Sequence, residues 1–217
     1  EAYRNLPDHS LVFRNNGEGD FGPAPVWQTE SPRHSFDVTW ADFNGDGVED
    51  LAFANSGDGH TIYLGPIEEA GAPHWTATEG GFEGNTLDVG DVDADGYLDL
   101  VVSDNNQLGG AGRVRMWCGP GFELCWTSQD PPEMQSAVSL EDVDLDGDLD
   151  LFAGAWWGAL RMYENVDGAL TETPVWWSNE PDTVIEALAW GDVDGDGLRE
   201  LAVTNWTPDG PNLLYAR

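Results

Sequence analysis

Apolar residues along this chain come in runs of three to five, too short for helices and each bounded by Gly, Pro, Asn or Asp. One set reads Phe36–Trp40, Thr86–Val89, Ala137–Leu140 and Ala187–Trp190. A second set reads Leu51–Ala54, Leu100–Val102, Leu151–Ala153 and Leu201–Val203. A third alternates with period two: Leu11–Arg14, Thr61–Leu64, Val114–Trp117, Leu160–Tyr163 and Leu213–Ala216. A fourth carries a Trp each time, at Trp27, Trp75, Trp126 and Trp176. No helical periodicity is present. Four short strands in about fifty residues is the pattern of a propeller blade, so the pattern predicts an all-β fold of the β-propeller type.

Between the first and second runs of each unit lies an acidic loop. The loops start at Asp42, Asp91, Asp142 and Asp192, which are 49, 51 and 50 positions apart. This spacing predicts one repeat domain over residues 1–217. Its units cover about 36–79, 84–128, 136–179 and 184–217, with a partial unit at 11–29. Strand counting leaves one strand more than four complete blades need. The expectation is that the chain does not form an isolated closed ring.

The loop pattern, Asp-x-Asp-x-Asp-Gly-x-x-Asp, has a direct chemical reading. Side chains at the first, third and fifth positions converge, Gly at the sixth permits the turn, the seventh offers a carbonyl, and a carboxylate at the ninth closes the shell. These donors are hard oxygens, which favours Ca²⁺ over zinc or copper and, less strongly, over Mg²⁺. A helical calcium hand would need Glu at the twelfth position. Phe53, Val102, Ala153 and Val203 stand there instead. Two carboxylates about 4 Å apart repel by roughly 4 kcal/mol at an effective dielectric of twenty, so converging acids call for a cation.

Charge agrees only in part. The chain has 41 acidic residues against 8 basic ones, all Arg, for a formal net charge of −33. That excludes a basic surface for nucleic acid or anionic membrane. Four divalent ions would leave about −25, so the remaining acidity belongs to the surface and fits saline surroundings. No apolar stretch is long enough to span a bilayer. The first residues show neither an initiator Met nor a leader, as in a mature chain or a piece of a longer one. Cys118 and Cys125 flank a Gly-Pro-Gly turn. They read as a disulfide across a hairpin, and hence an oxidising compartment, the alternative being two buried thiols.

The acidic loop followed by a small-apolar strand resembles the FG-GAP/VCBS repeats of integrin-alpha-like propellers and of many secreted bacterial proteins. The resemblance runs from about Leu11 to Tyr215. It implies Ca²⁺, about four ions, in the loop between the first and second strands of each blade. The implied ligands are Asp42, Asn44, Asp46, Val48 and Asp50 in the first loop, and Asp91, Asp93, Asp95, Tyr97 and Asp99 in the second. Asp142, Asp144, Asp146, Asp148 and Asp150 form the third set, and Asp192, Asp194, Asp196, Leu198 and Glu200 the fourth, the seventh residue of each acting through its carbonyl. Integrin-like propellers have seven blades, and only four loops are present here.

Three functions compete. The first is an extracellular structural or adhesive module that binds protein partners or itself. The second is a carbohydrate-binding propeller. The third is the non-catalytic domain of a larger secreted enzyme. No nucleophile motif and no His spacing points to catalysis, so the chain is expected not to be an enzyme. The four recurrent Trp, and Trp40 and Trp190 beside the acidic loops, read as packing. Trp156, Trp157 and Trp206 are expected in the loops after the second run, on the face opposite the acidic loops, where a ligand such as a sugar ring could stack on them.

Overall fold

The computed structural model describes residues 7–79, 83–106, 112–180, 183–207 and 212–216. The described residues are all-β, and the only helical element among them is a single 3-10 turn, Ile67–Glu69. A first strand pair, β1 (Leu11–Val12) and β2 (Trp27–Gln28), forms a small sheet of its own. A four-stranded antiparallel sheet follows: β3 (His34–Ala41), β4 (Asp50–Ser56), β5 (Thr61–Tyr63) and β6 (Trp75–Thr76). The next sheet repeats that order with β7 (Gly84–Gly90), β8 (Asp99–Asp104), β9 (Val114–Cys118) and β10 (Glu123–Thr127).

The third unit contains β11 (Met134–Glu141), β12 (Asp150–Gly158) and β13 (Arg161–Tyr163). A short hairpin, β14 (Asn165–Val166) with β15 (Ala169–Leu170), comes before its last strand, β16 (Trp176–Trp177). The last unit has β17 (Thr183–Gly191), β18 (Glu200–Asn205) and β19 (Leu213–Tyr215). β12 runs past its partner and pairs with the start of β17 at Trp156↔Val184, which joins the last two units into one seven-stranded sheet. These curled sheets are consistent with a β-propeller-like arrangement.

Apolar side chains collect between successive sheets and not at one centre, as expected of stacked repeats. One cluster, with Phe43, Ile62, Leu100, Trp117 and Phe122, lies between the first two four-stranded sheets. Another, around Val101, Met116, Leu140, Leu151 and Tyr163, lies between the second and third units. A third joins Phe152, Leu160, Ile185 and Leu201. The recurrent Trp run through these layers in a fixed way. Trp27 meets Tyr63, Trp75 meets Trp117, Trp126 meets Tyr163, and Trp176 meets Tyr215, with centroids 5.0 to 6.0 Å apart and rings near perpendicular. Each outer-strand Trp therefore packs edge-on against an aromatic ring on the third strand of the next unit. Their expected packing role holds for Trp27, Trp75 and Trp126, while Trp176 keeps the ring contact but is 38% exposed.

The innermost strands are also laced together. The Leu87 N–H donates to Asp37 Oδ2 at 3.0 Å, Val138 N–H to Thr86 Oγ1 at 3.0 Å, and Leu140 N–H to Asp88 Oδ2 at 2.8 Å. Each inner strand carries a bulge near its start, at Ser35/Asp37, Gly84/Leu87, Gln135/Ala137 and Ile185/Ala187. Bulges sharpen the local twist and turn a side chain away from the ladder, toward the neighbouring unit. Cys118 and Cys125 are joined in a disulfide across the β9–β10 hairpin, as the sequence led one to expect.

β2 pairs with β1 and does not supply a fourth strand to the last unit; its Trp27 is buried against Tyr63 of the first sheet. Among the described residues β19 pairs only with β18. Trp40 departs from the expected core role. It is 45% exposed, because no described strand covers that side of β3. Trp190, at the same place in the last unit, packs on Phe152 at 4.9 Å. Beside Trp40 a groove of about 470 Å³ is lined by Leu11, Phe13, Phe36, Val38 and Phe53.

Candidate functional site

Each acidic loop joins the first strand of a unit to the second, and the four are built alike. In every loop the first carboxylate accepts the N–H of the sixth residue: Asp42 from Gly47 (2.8 Å), Asp91 from Gly96 (3.0 Å), Asp142 from Gly147 (3.1 Å) and Asp192 from Gly197 (3.0 Å). The fifth side chain accepts the N–H of the seventh residue, through Asp46, Asp95, Asp146 and Asp196. These turns need positive φ at the sixth position, where Gly stands at +83°, +93°, +102° and +91°. The fourth position is left-handed too, at Gly45, Ala94, Leu145 and Gly195. The sequence pattern did not reveal that requirement, because two of those residues are not Gly.

The ninth residue behaves differently. Asp50, Asp99, Asp150 and Glu200 are buried at the start of the second strand. One oxygen of each takes the N–H of the loop's second residue, from Phe43 (2.9 Å), Val92 (2.8 Å), Val143 (3.3 Å) and Val193 (2.8 Å). In the first three units the other oxygen takes an N–H just after the third strand, from Gly65 (2.7 Å), Gly119 (3.0 Å) and Asn165 (2.8 Å). These acids therefore clamp the loop to the sheet. A carboxylate with two accepted bonds keeps lone pairs for a further partner.

Convergence is greatest in the later loops. Asp91, Asp93 and Asp95 place one oxygen each within 4.8 Å of one another, as do Asp142, Asp144 and Asp146, and Asp192, Asp194 and Glu200. In the first loop the amide of Asn44 donates to Asp46 at 3.0 Å, so an amide stands where the other loops put a third acid. Burial, with nearby acids adding to it, raises the carboxyl of Asp93 and Asp99, and lifts that of Asp150 to about 6. The donor set is oxygen only and strongly anionic, which fits a hard divalent cation.

The three Trp expected on the opposite face do come together. The structure places Trp156 and Trp157 inside the extended end of β12, not in a loop, because that strand continues across to β17. Trp156 lies 5.8 Å from Trp157 with rings at 83°, and 6.3 Å from Trp206 with rings at 45°. Glu186, the bulged residue of β17, lies against Trp156, and burial raises its carboxyl.

No curated protein matches the chain. Among solved structures, the computationally designed Ika4 protein is similar with a TM-score of 0.56 at 10% identity, over 86% of this chain and 94% of that one. The designed Ika8 protein gives a TM-score of 0.54 at 9% identity, over 84% of this chain and 46% of that one. The V. cholerae biofilm matrix protein Bap1 gives 0.53 at 15%, over 92% of this chain but only 33% of Bap1. At such identities the likeness concerns the fold alone. The model of the FG-GAP-like repeat matches residues 3–53 and 142–203, just over half of the sequence, and both segments contain acidic loops with the geometry above: the chain belongs to the FG-GAP-like repeat family.

Proposed function

We propose that this protein is a calcium-stabilised structural module of the cell exterior, an arc of four propeller blades that associates through its ends with protein partners, foremost other copies of itself. The observation that carries the calcium reading is the convergence of three acidic oxygens within 4.8 Å in three separate loops; the one Arg in these loops, Arg199, pairs with Glu141 outside them. The ligand sets are those that the family resemblance implies, with Asn44 in the first loop and Glu200 in the last as the departures. Ca²⁺ would neutralise the clustered acids there and hold each loop against its sheet.

The disulfide fits an oxidising compartment. Support for end-to-end association comes from the exposed groove beside Trp40 and from the last unit, which has three strands among the described residues, since uncovered apolar sheet is an association hazard. A head-to-tail contact of this kind is heterologous and propagates or closes into a ring.

Calorimetric titration of chelator-treated protein should show about four sites. Extracellular calcium modules bind at about 10⁻⁴ to 10⁻³ M. At ten times the dissociation constant each site adds about 1.4 kcal/mol, so the set adds about 5 to 6. An unchanged melting midpoint with and without chelator would sink the calcium reading. Sizing in calcium buffer tests association, and a monodisperse 23.6 kDa monomer at all concentrations would end that part alone.

A further inference from the structure

Repeat proteins show what packing needs by what their units share, so a unit that departs from the rest marks something local. At the end of the second strand three units place a polar cap: Asn55, Asp104 and Asn205. Asn55 donates to Gly59 O and Thr61 Oγ1, Asp104 accepts the Glu83 N–H, and Asn205 accepts the Val184 N–H. The third unit has Ala155 instead, followed by Trp156 and Trp157. There the strand continues, bulges between Trp156 and Gly158, and crosses to β17. The one-residue-later position of the last unit is Trp206, whose N–H donates to Val184 O at 2.9 Å. Two adjacent units thus bring three Trp to one junction.

Stability does not account for this arrangement. Trp157 is 58% exposed and Trp206 is 67% exposed. Trp157 also has φ +54°, a left-handed backbone that disfavours a large side chain. Exposed aromatic rings held on unfavourable backbone are found where a ligand binds. The rings are not coplanar. Trp156 is nearly perpendicular to Trp157 and tilted from Trp206, so the cluster offers walls in different directions and not one flat shelf.

Charge decides the class of ligand. The Glu186 carboxylate lies against Trp156 and takes part in none of the ion pairs among the described residues, which use Glu68, Asp104, Asp130, Glu133 and Glu141. The chain has no Lys, eight Arg and a net charge of −33, so the field at this junction favours cations and repels anions. Aromatic faces, Trp above all, attract a cation, and a carboxylate beside them adds to that attraction.

We propose that Trp156, Trp157, Trp206 and Glu186 form a binding site for an alkylammonium group, of the kind carried by choline or by a methylated lysine side chain. The site lies on the face opposite the acidic loops and does not depend on the calcium reading. The probes are choline and its neutral isostere 3,3-dimethyl-1-butanol, titrated by saturation-transfer NMR on the full chain with calcium present. Choline should bind saturably, and the isostere about tenfold more weakly.

Trp157→Ala should abolish binding and Glu186→Gln should weaken it severalfold, with melting temperature confirming the fold. Trp157→Phe should retain part of the affinity and would separate loss of the ring from misfolding. Equal binding of choline and isostere would overturn the proposal, leaving an apolar patch. So would no binding of choline with capture of neutral glycans on an array, which would make the site a sugar platform. Loss of self-association in Trp157→Ala without any choline binding would likewise overturn it, assigning the patch to a subunit contact.

Discussion

Replacing Asp50 by Asn separates the two roles that a ninth-position acid can play. The Asp50 carboxylate is fully buried and accepts two backbone N–H groups, from Phe43 at 2.9 Å and Gly65 at 2.7 Å. An Asn side chain can answer only one of them, and its amide N–H₂ then faces the other donor. The loss is one hydrogen bond to a charged acceptor, roughly 1.5–3 kcal/mol, together with a buried unsatisfied N–H at roughly 1–3 kcal/mol. These costs overlap, so about 2–4 kcal/mol is expected for Asp50→Asn even with all calcium chelated. Asp46→Ala is the comparison. Asp46 is exposed and its side chain takes one backbone donor, Val48 N–H at 2.8 Å, and the Asn44 amide. In chelator it should cost no more than about 1 kcal/mol, while removing calcium binding at that loop. Urea unfolding of both variants in chelator and in calcium provides the four numbers. If Asp50→Asn costs less than about 0.5 kcal/mol in chelator, the clamp reading is refuted.

Three further outcomes follow from single side chains. His60 is buried, its Nδ1 accepts the Asn55 N–H at 3.2 Å, and burial, with Arg115 adding to it, lowers its pKa from 6.5 to about 3. The unfolded chain therefore takes up a proton that the folded one refuses. The stability this group contributes is complete above pH 6.5 and falls with acid, by about 2 kcal/mol at pH 5. Urea midpoints of His60→Gln should be flatter across that window, and a parallel loss in both proteins would refute the assignment. Reducing the Cys118–Cys125 bridge opens a loop with a sequence separation of 7 and should lower stability by about 2.5 kcal/mol, read from melting with and without reductant after thiol labelling. Leu145 is exposed at φ +66°, so Leu145→Gly should raise stability by about 0.5–1 kcal/mol in chelator, and a loss of stability there would refute the strain argument.

The repeat, its strands and the acidic loops were legible in the sequence because they depend on local rules. Period-two apolar runs make strands wherever they occur, and Asp, Asn and Gly at fixed offsets make the same turn four times over. The recurrent Trp could be read as packing for the same reason, since any interface between identical units repeats with the units. The bridge between Cys118 and Cys125 was legible as well, because only a short turn separates them. What a single unit cannot encode was left to the tertiary structure. Trp40 and Trp190 hold the same place in their units, yet Phe152 covers Trp190 and no described strand covers Trp40. The strand count did not settle where β2 goes; burial of Trp27 against Tyr63 ties it to the first sheet and leaves β19 with one partner. Trp156, Trp157 and Trp206 are fifty residues apart in part, and only the crossing of β12 onto β17 sets them beside Glu186. Such features depend on which unit lies next to which, and neighbour identity in space is a property of the folded chain and not of the local pattern.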